Sequence, residues 1–204
     1  MQLVSGVGIY DLKGDPSHNI IKRINGKVVW RCPFYIKWRD VLTRCYSERS
    51  LQKRPTYRGC SVCEEWKTFS NFMAWMKTQS WEGKHLDKDI LVPGNKVYSP
   101  ETCIFVSGEV NSFLSKNIKT RGKYPMGVRV HTRINKFEAR ISKYNKTIYL
   151  GIFDTAEEAY EVYNKEKSKY ILEFAENLTE NDTSDVERTR QGLIRHLEEG
   201  HVFK

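Results

Sequence analysis

The sequence predicts an α+β chain in two parts, and three observations carry that expectation. Two aromatic-rich segments with helical spacing precede a strand–loop–strand–helix pattern ending near residue 117. Residues 128 to 153 then break into three short runs of β-branched and aromatic residues separated by turn residues. Directly behind them, Thr155 and Glu158 form a Thr-x-x-Glu signature that opens a further helix. The expected organisation is a first domain over 1–117, a three-stranded antiparallel sheet packed on one helix over 124–175, and a C-terminal helical tail over 176–204.

Each element has a local reason. In "FYIKWRDVLTRCY", Trp38, Val41, Leu42 and Cys45 recur at helical spacing behind Pro33, a favoured starting residue. "CSVCEEWKTFSNFMAWMKTQ" repeats the pattern with Trp66, Phe69, Met73 and Met76. The intervening "SERSLQKRPTYRG" is polar and reads as a loop. "GKHLDKDILV" reads as a strand, "GNKVYSPE" as a turn or loop, and "TCIFV" as a second strand. Ser107 is then placed to cap the helix that starts "GEVNSFLSK". "NIKTRGKYP" is the expected linker. "MGVRVHT", "KFEARISK" and "TIYLGIF" follow as strands, with "INK" and "YNK" as turns. A second capping box, Ser184 with Glu187, starts a last helix that Gly200 ends.

Composition narrows the function. Hydrophobic residues make up 39% of the chain, enough for packed cores. Lys and Arg outnumber Asp and Glu by 34 to 25, which points to a polyanionic partner, nucleic acid first. Between Ser115 and Leu150 the only acid is Glu138, against Lys116, Lys119, Arg121, Lys123, Arg129, Arg133, Lys136, Arg140, Lys143 and Lys146. No apolar run approaches the roughly 18 residues of a membrane span. The opening "MQLVSGVGIYDLKGD" lacks the features of a signal peptide, so a cytoplasmic location is expected. Five cysteines in such a chain are expected as reduced thiols.

Metal-dependent phosphodiester hydrolysis needs oxygen ligands for a hard cation, a base for water and an electrophile for the leaving oxygen. A strand–loop–strand–helix unit can supply one ligand from its first strand and another from its helix. Asp87 and Asn111 occupy those places. In order, "WRDVLTRCY", "TYRGCSVCEEW", "FSNFMAW", "LDKDI", "YSPETCIFV" and Asn111 resemble the HNH nuclease motif in the variant carried by phage homing endonucleases. The resemblance implies an HNH-like metal-site core with flanking helices. It makes Asp87 and Asn111 the ligands of a catalytic Mg²⁺ or another divalent cation. It places Thr102 at the middle Asn and Lys88 at the general-base His. Lys88 and Asp89 are therefore read as catalytic candidates alongside the ligands, with His85 as a further residue on the Asp87 face. Cys60-x-x-Cys63 with Cys45 and Cys103 forms a candidate structural zinc set, with core packing as the alternative. Cys32 is read as an incidental thiol.

The stretch "GVRVHTRINKFEARISKYNKTIYLGIFDTAEEAYEVYN" resembles the ethylene-response-factor DNA-binding domain, which is also found appended to phage homing endonucleases. That resemblance implies a sheet laid in the major groove of duplex DNA. By that resemblance Arg129 matches the arginine after "GV", Phe137 and Tyr149 stand where the family often has tryptophan, and Arg140 replaces a Glu, all read as DNA-binding; Arg133, Lys136, Lys143 and Lys146 are read as phosphate contacts. Together the two resemblances imply a DNA endonuclease, nicking or homing, acting as a monomer or weak dimer in the host cytoplasm. The alternative from another class is an HNH-derived DNA-binding regulator without catalysis; a more distant one is an RNA binder.

Overall fold

The computed structural model describes residues 3–15, 18–113, 123–144 and 146–200. Lys116, Lys119, Arg121, most of the expected linker and the Asn145 turn residue lie outside them. The chain is mixed α+β, with small sheets. It begins with a hairpin, β1 (Ile21–Ile24) and β2 (Lys27–Arg31), that leads into helix α1 (Pro33–Tyr46). Next come α2 (Glu48–Lys53), β3 (Ser61–Val62) and α3 (Phe69–Lys77). The polar segment expected to be a loop thus contains α2 and a 3-10 turn, Pro55–Tyr57. Neither element has a buried residue, so there is no apolar periodicity to find.

Trp38 anchors the first core. It is fully buried, and its indole N–H donates to the Trp66 carbonyl at 2.7 Å. Phe69, Phe72, Met76 and Phe105 close around it, and Met73 is only partly buried. Gly8 is backed against this helix: a Cβ there would lie 2.3 Å from a Leu42 methyl. That close approach seats the N-terminal segment on α1.

The strand–loop–strand–helix unit forms as β4 (His85–Asp87), β5 (Val97–Tyr98), β6 (Ile104–Val106) and α4 (Gly108–Phe113). β4 pairs antiparallel with β6, setting Asp87 opposite Ile104. β5 lies inside the segment expected to be a turn or loop and pairs in parallel with β3. The strand ends at Asp87, earlier than expected, so Asp89 sits in the bend beyond it. Ser107 accepts the Val110 N–H at 3.3 Å, in the capping role read from sequence.

The second half forms an antiparallel sheet in the order β7 (Val128–His131), β8 (Lys136–Lys143), β9 (Lys146–Phe153), backed by α5 (Ala156–Glu176). Both bonds of the Thr155–Glu158 capping box are present. The sheet and helix share their core with the first half. Ile141, Tyr163, Tyr170, Ile171 and Phe174 pack in one cluster with Ile90, Ile104, Val110 and Phe113.

The expected tail is packed onto the β4–β6 unit. Thr183 bridges Val106, and Ser184 exchanges hydrogen bonds with Phe105 through its N–H (2.8 Å) and hydroxyl (3.2 Å). Ser184 is therefore not the helix cap. Asp185 accepts the Arg188 N–H at 3.0 Å and starts α6 (Val186–Glu198). Gly200, at φ +65°, follows this helix in the left-handed conformation that commonly terminates helices. Among the described residues no helix is long and apolar enough to cross a membrane.

Gly192 ties α6 to the loop behind β4. A Cβ on Gly192 would lie 2.4 Å from the Ile90 carbonyl oxygen. On helix propensity alone, Gly192→Ala would gain about 1 kcal/mol. The clash with backbone reverses the sign, and we expect a loss of roughly 1–3 kcal/mol. A urea titration checks this: a midpoint above the parent's would contradict the packing of α6 on the loop.

Candidate functional site

A cavity of about 160 Å³ opens beside β4. Asp87 and Asn111, brought together by the β4–β6 pairing and α4, both line it. His85 lines it too, one strand repeat before Asp87 and so on the same face of β4. Helix α1 contributes Lys37 and Arg44, seven residues apart and hence on one helix face. Tyr57 and Tyr98 complete the wall beside Arg44, whose guanidinium lies 5.8 Å from the Tyr57 ring.

Asp87 is the centre of this arrangement. Its Oδ1 accepts the N–H groups of Asp89 (2.7 Å) and Ile90 (2.8 Å), which turns the chain out of the strand. Burial pushes its carboxyl above the usual aspartate range, and the nearby Asp89 charge adds to this; the two N–H donors and Lys88 pull the other way. Lys37 is shifted down, first by burial and then by the Arg44 charge. The cavity thus sets a desolvated acid against two cations held by a helix.

Lys88 and Asp89 are placed differently from their sequence-based roles. The Lys88 side chain is buried, and its ammonium donates to Asp89 Oδ1 (2.5 Å) and the Asn95 carbonyl (2.6 Å). It is a loop fastener, and Asp89, still half-exposed, is its counter-ion. Asn95 completes the fastening by donating to the Lys88 and Val97 carbonyls. Thr102 bonds the Val97 carbonyl at 2.7 Å and holds the β5 loop instead of a catalytic group.

The four cysteines of the candidate zinc set do not converge. Among the described residues no three His, Cys, Asp or Glu side chains form a metal-holding group. Cys45, Cys60 and Cys103 are buried in the Trp38 core, and burial pushes the Cys45 thiol up to about 12 and the Cys63 thiol up. The Cys-x-x-Cys spacing bends round the β3 edge, where the Cys63 N–H pairs with the Tyr98 carbonyl. A magnesium-type ion makes smaller demands: it typically takes one or two carboxylates and completes its shell with water and substrate phosphate. Asp87 with the Asn111 amide fits that donor set.

The sheet sorts the DNA-contact candidates by strand alternation. Arg129, Lys136, Arg140 and Tyr149 lie on the outer face, registered around Glu138. Arg140 donates to Glu138 from Nε (3.0 Å) and Nη2 (2.8 Å) and lies 5.9 Å from the Tyr149 ring. Lys136 pairs with Asp154 at 2.8 Å. Arg129, Arg133 and Lys146 are exposed. Phe137 and Lys143 fall on the other face, with Ala139 and Ile141. Phe137 packs edge-on against Tyr124, and Lys143 donates to Glu166 of α5 at 2.6 Å. These two lie on the helix-facing side of the sheet, so neither the Phe137 ring nor the Lys143 phosphate contact expected from sequence shares the outer face with Arg129 and Arg140.

A larger cleft, about 560 Å³, lies between α4, β8 and α5 and contains none of the Asp87 cavity residues. Its Glu109 accepts from the Tyr170 hydroxyl.

No family model, curated protein or solved structure matches the chain.

The two duties of Asp87 separate by substitution. Because its carboxyl is raised in the fold, protonation favours the folded state; this contribution is complete at low pH and is lost as pH rises through the raised value. At neutral pH, Asp87→Asn keeps an acceptor for both N–H groups and removes the desolvated charge, so its urea midpoint should equal or exceed the parent's. Asp87→Ala removes the acceptor and should cost roughly 1–3 kcal/mol. An Asn variant as unstable as the Ala variant would contradict the turn-forming role.

Proposed function

We propose that this chain is a divalent-cation-dependent DNA endonuclease of the HNH type, addressed to its target by the β7–β9 sheet. The observation that carries the reading is the single cavity shared by Asp87, Asn111, His85 and the two α1 cations. A phosphodiester needs those components: oxygen donors for a cation, positive charge for its own oxygens, and a proton acceptor for water. Asp87 and Asn111 would hold the cation, which supplies Lewis acidity to the phosphate when bound. Arg44 and Lys37 receive the non-bridging phosphate oxygens. His85, on the strand face shared with Asp87, takes the proton of the attacking water; Lys88 does not, because its ammonium is bonded into the loop. The outer face of the sheet, with Arg129 and Arg140 beside Tyr149, supplies base contacts, and Arg133 at the β7–β8 turn supplies a phosphate contact.

A second reading, a DNA-binding regulator without catalysis, is favoured by one observation: the residue directly after Asp87 is a buried lysine used for structure. Supercoiled plasmid incubated with Mg²⁺ or Mn²⁺ separates the two. The endonuclease converts it to open circles or linear DNA. Asp87→Asn abolishes the conversion, His85→Ala slows it about 10²–10⁴-fold, and both leave duplex affinity within a few-fold. The raised Asp87 carboxyl also makes cleavage fail on acidification at a higher pH than an ordinary aspartate would, because the neutral form is a poor ligand. A parent protein that binds plasmid and never cuts it establishes the regulator.

A further inference from the structure

The β1–β2 hairpin has no partner in the roles assigned above. It leaves the core between two fixed points. His18 packs against Phe69, and Cys32 is buried, with its N–H on the Ile20 carbonyl at 2.8 Å. Between them the chain turns at Asn25 and Gly26, both at positive φ, the two-residue hairpin turn that matches strand twist. Every strand residue except Val28 is exposed. Both faces therefore meet solvent along strands of roughly 17 Å.

What the hairpin exposes is unusual for a solvated loop. Ile24 is 62% exposed and Trp30 40% exposed, and Ile21 and Val29 are exposed beside them. Lys22, Arg23, Lys27 and Arg31 are interleaved with these apolar groups, and residues 18–39 contain no Asp or Glu. The register sorts them into two mixed faces. Lys22, Ile24, Lys27 and Trp30 share one, with the Lys22 ammonium 5.3 Å from the Trp30 ring; Arg23 and Arg31 share the other with Ile21. An all-cationic ribbon with apolar side chains between its charges repels another copy of itself and suits a polyanion that also offers apolar surface.

We propose that the β1–β2 hairpin is a second duplex-DNA contact: a two-stranded ribbon that enters the major groove while its lysines and arginines take the flanking phosphates. This rests on the endonuclease reading above. A two-stranded β-ribbon fits the roughly 12 Å major groove, and Trp30 and Ile24 can meet thymine methyls and sugars there. The hairpin runs directly into α1, the helix that carries Lys37 and Arg44 to the cavity. Fixing the ribbon on DNA therefore fixes the N-terminal end of the helix that grips the phosphate. The sheet β7–β9 and the hairpin would hold the duplex at two places, with the cutting site addressed by both.

The test measures affinity of the full chain for a fluorescent duplex across a salt series, for the parent, for Lys22→Gln/Lys27→Gln/Arg31→Gln, and for Trp30→Ala. Urea midpoints confirm that the variants fold. The proposal expects the triple variant to flatten the slope of log affinity against log salt by about 0.9 for each phosphate no longer neutralised, roughly two to three units in all. Trp30→Ala should weaken binding at least several-fold and leave the slope unchanged. A parent with a steep slope that both variants reproduce overturns the hairpin contact and leaves the endonuclease reading standing. A parent that ignores duplex DNA, and binds only single-stranded RNA or anionic vesicles, overturns both. A Trp30→Ala variant that changes the sedimentation of the free protein assigns the hairpin to self-association and overturns the proposal.

Discussion

The loop from Asp87 to Leu91 is the constraint on which the site depends. It is gripped from two sides. On the inside, Asp87 Oδ1 takes two of its N–H groups, and the Lys88 ammonium ties it to Asn95. On the outside, α6 covers its carbonyls: His196 Nε2 lies 2.7 Å from the Asp89 oxygen, Arg195 donates to Leu91 at 3.0 Å, and Gly192 lets the helix backbone close on Ile90. Three carbonyls (Lys88, Asp89 and Leu91) and two N–H groups are bonded, and the Ile90 carbonyl is packed against a helix, so the strand end cannot drift. The remaining face of Asp87 is thereby held toward the cavity.

This arrangement explains why the two halves of the chain are interlocked. The helix that completes the loop comes after the sheet domain in sequence, so α5 must bring the chain back across the first half. It does so by burying Tyr170, Ile171 and Phe174 against Phe113 and Ile90. A fragment cut before β7 would lack α6 and the Thr183–Ser184 pairing on β6. A fragment holding only the sheet and α5 would expose the apolar half of its helix. Electrostatics follows the same division: the acid comes from the clamped strand end, and the compensating cations come from α1, which Trp38 fixes in the core.

Much of the fold is legible in local pattern. The Thr155 capping box, the three antiparallel strands and the Ser107 cap stand in the structure where local sequence places them. The β1–β2 hairpin carries its own signal, Asn25-Gly26 between β-branched residues, although no expectation rested on it. Asp185 displaces Ser184 as a cap because the serine hydroxyl is needed by β6, a competition that no local window reveals. At the candidate site, Asp87 and Asn111 are read from the strand–loop–strand–helix pattern and the HNH resemblance, and the fold brings both to one cavity. Lys37 and Arg44 are not legible in this way, since only tertiary packing tells which face of α1 meets the cavity. Lys88 is read as catalytic because the resemblance places it at the general-base position; its burial and two short bonds make it a fastener of the loop. For the cysteines, spacing leaves ligands and core packing both open; Cys45, Cys60 and Cys103 are buried in the core around Trp38, and Cys63 is partly buried against it.

The central claim is that Asp87 and Asn111 together present a divalent-cation site. Paramagnetic broadening by Mn²⁺ tests it without requiring turnover. When the full chain is titrated with substoichiometric Mn²⁺ and its amide resonances are followed, Asp87, Asp89, Ile90 and Asn111 should broaden first, and Asp87→Asn should abolish the effect. Broadening centred elsewhere in the parent, or unchanged in the Asp87→Asn variant, would contradict it.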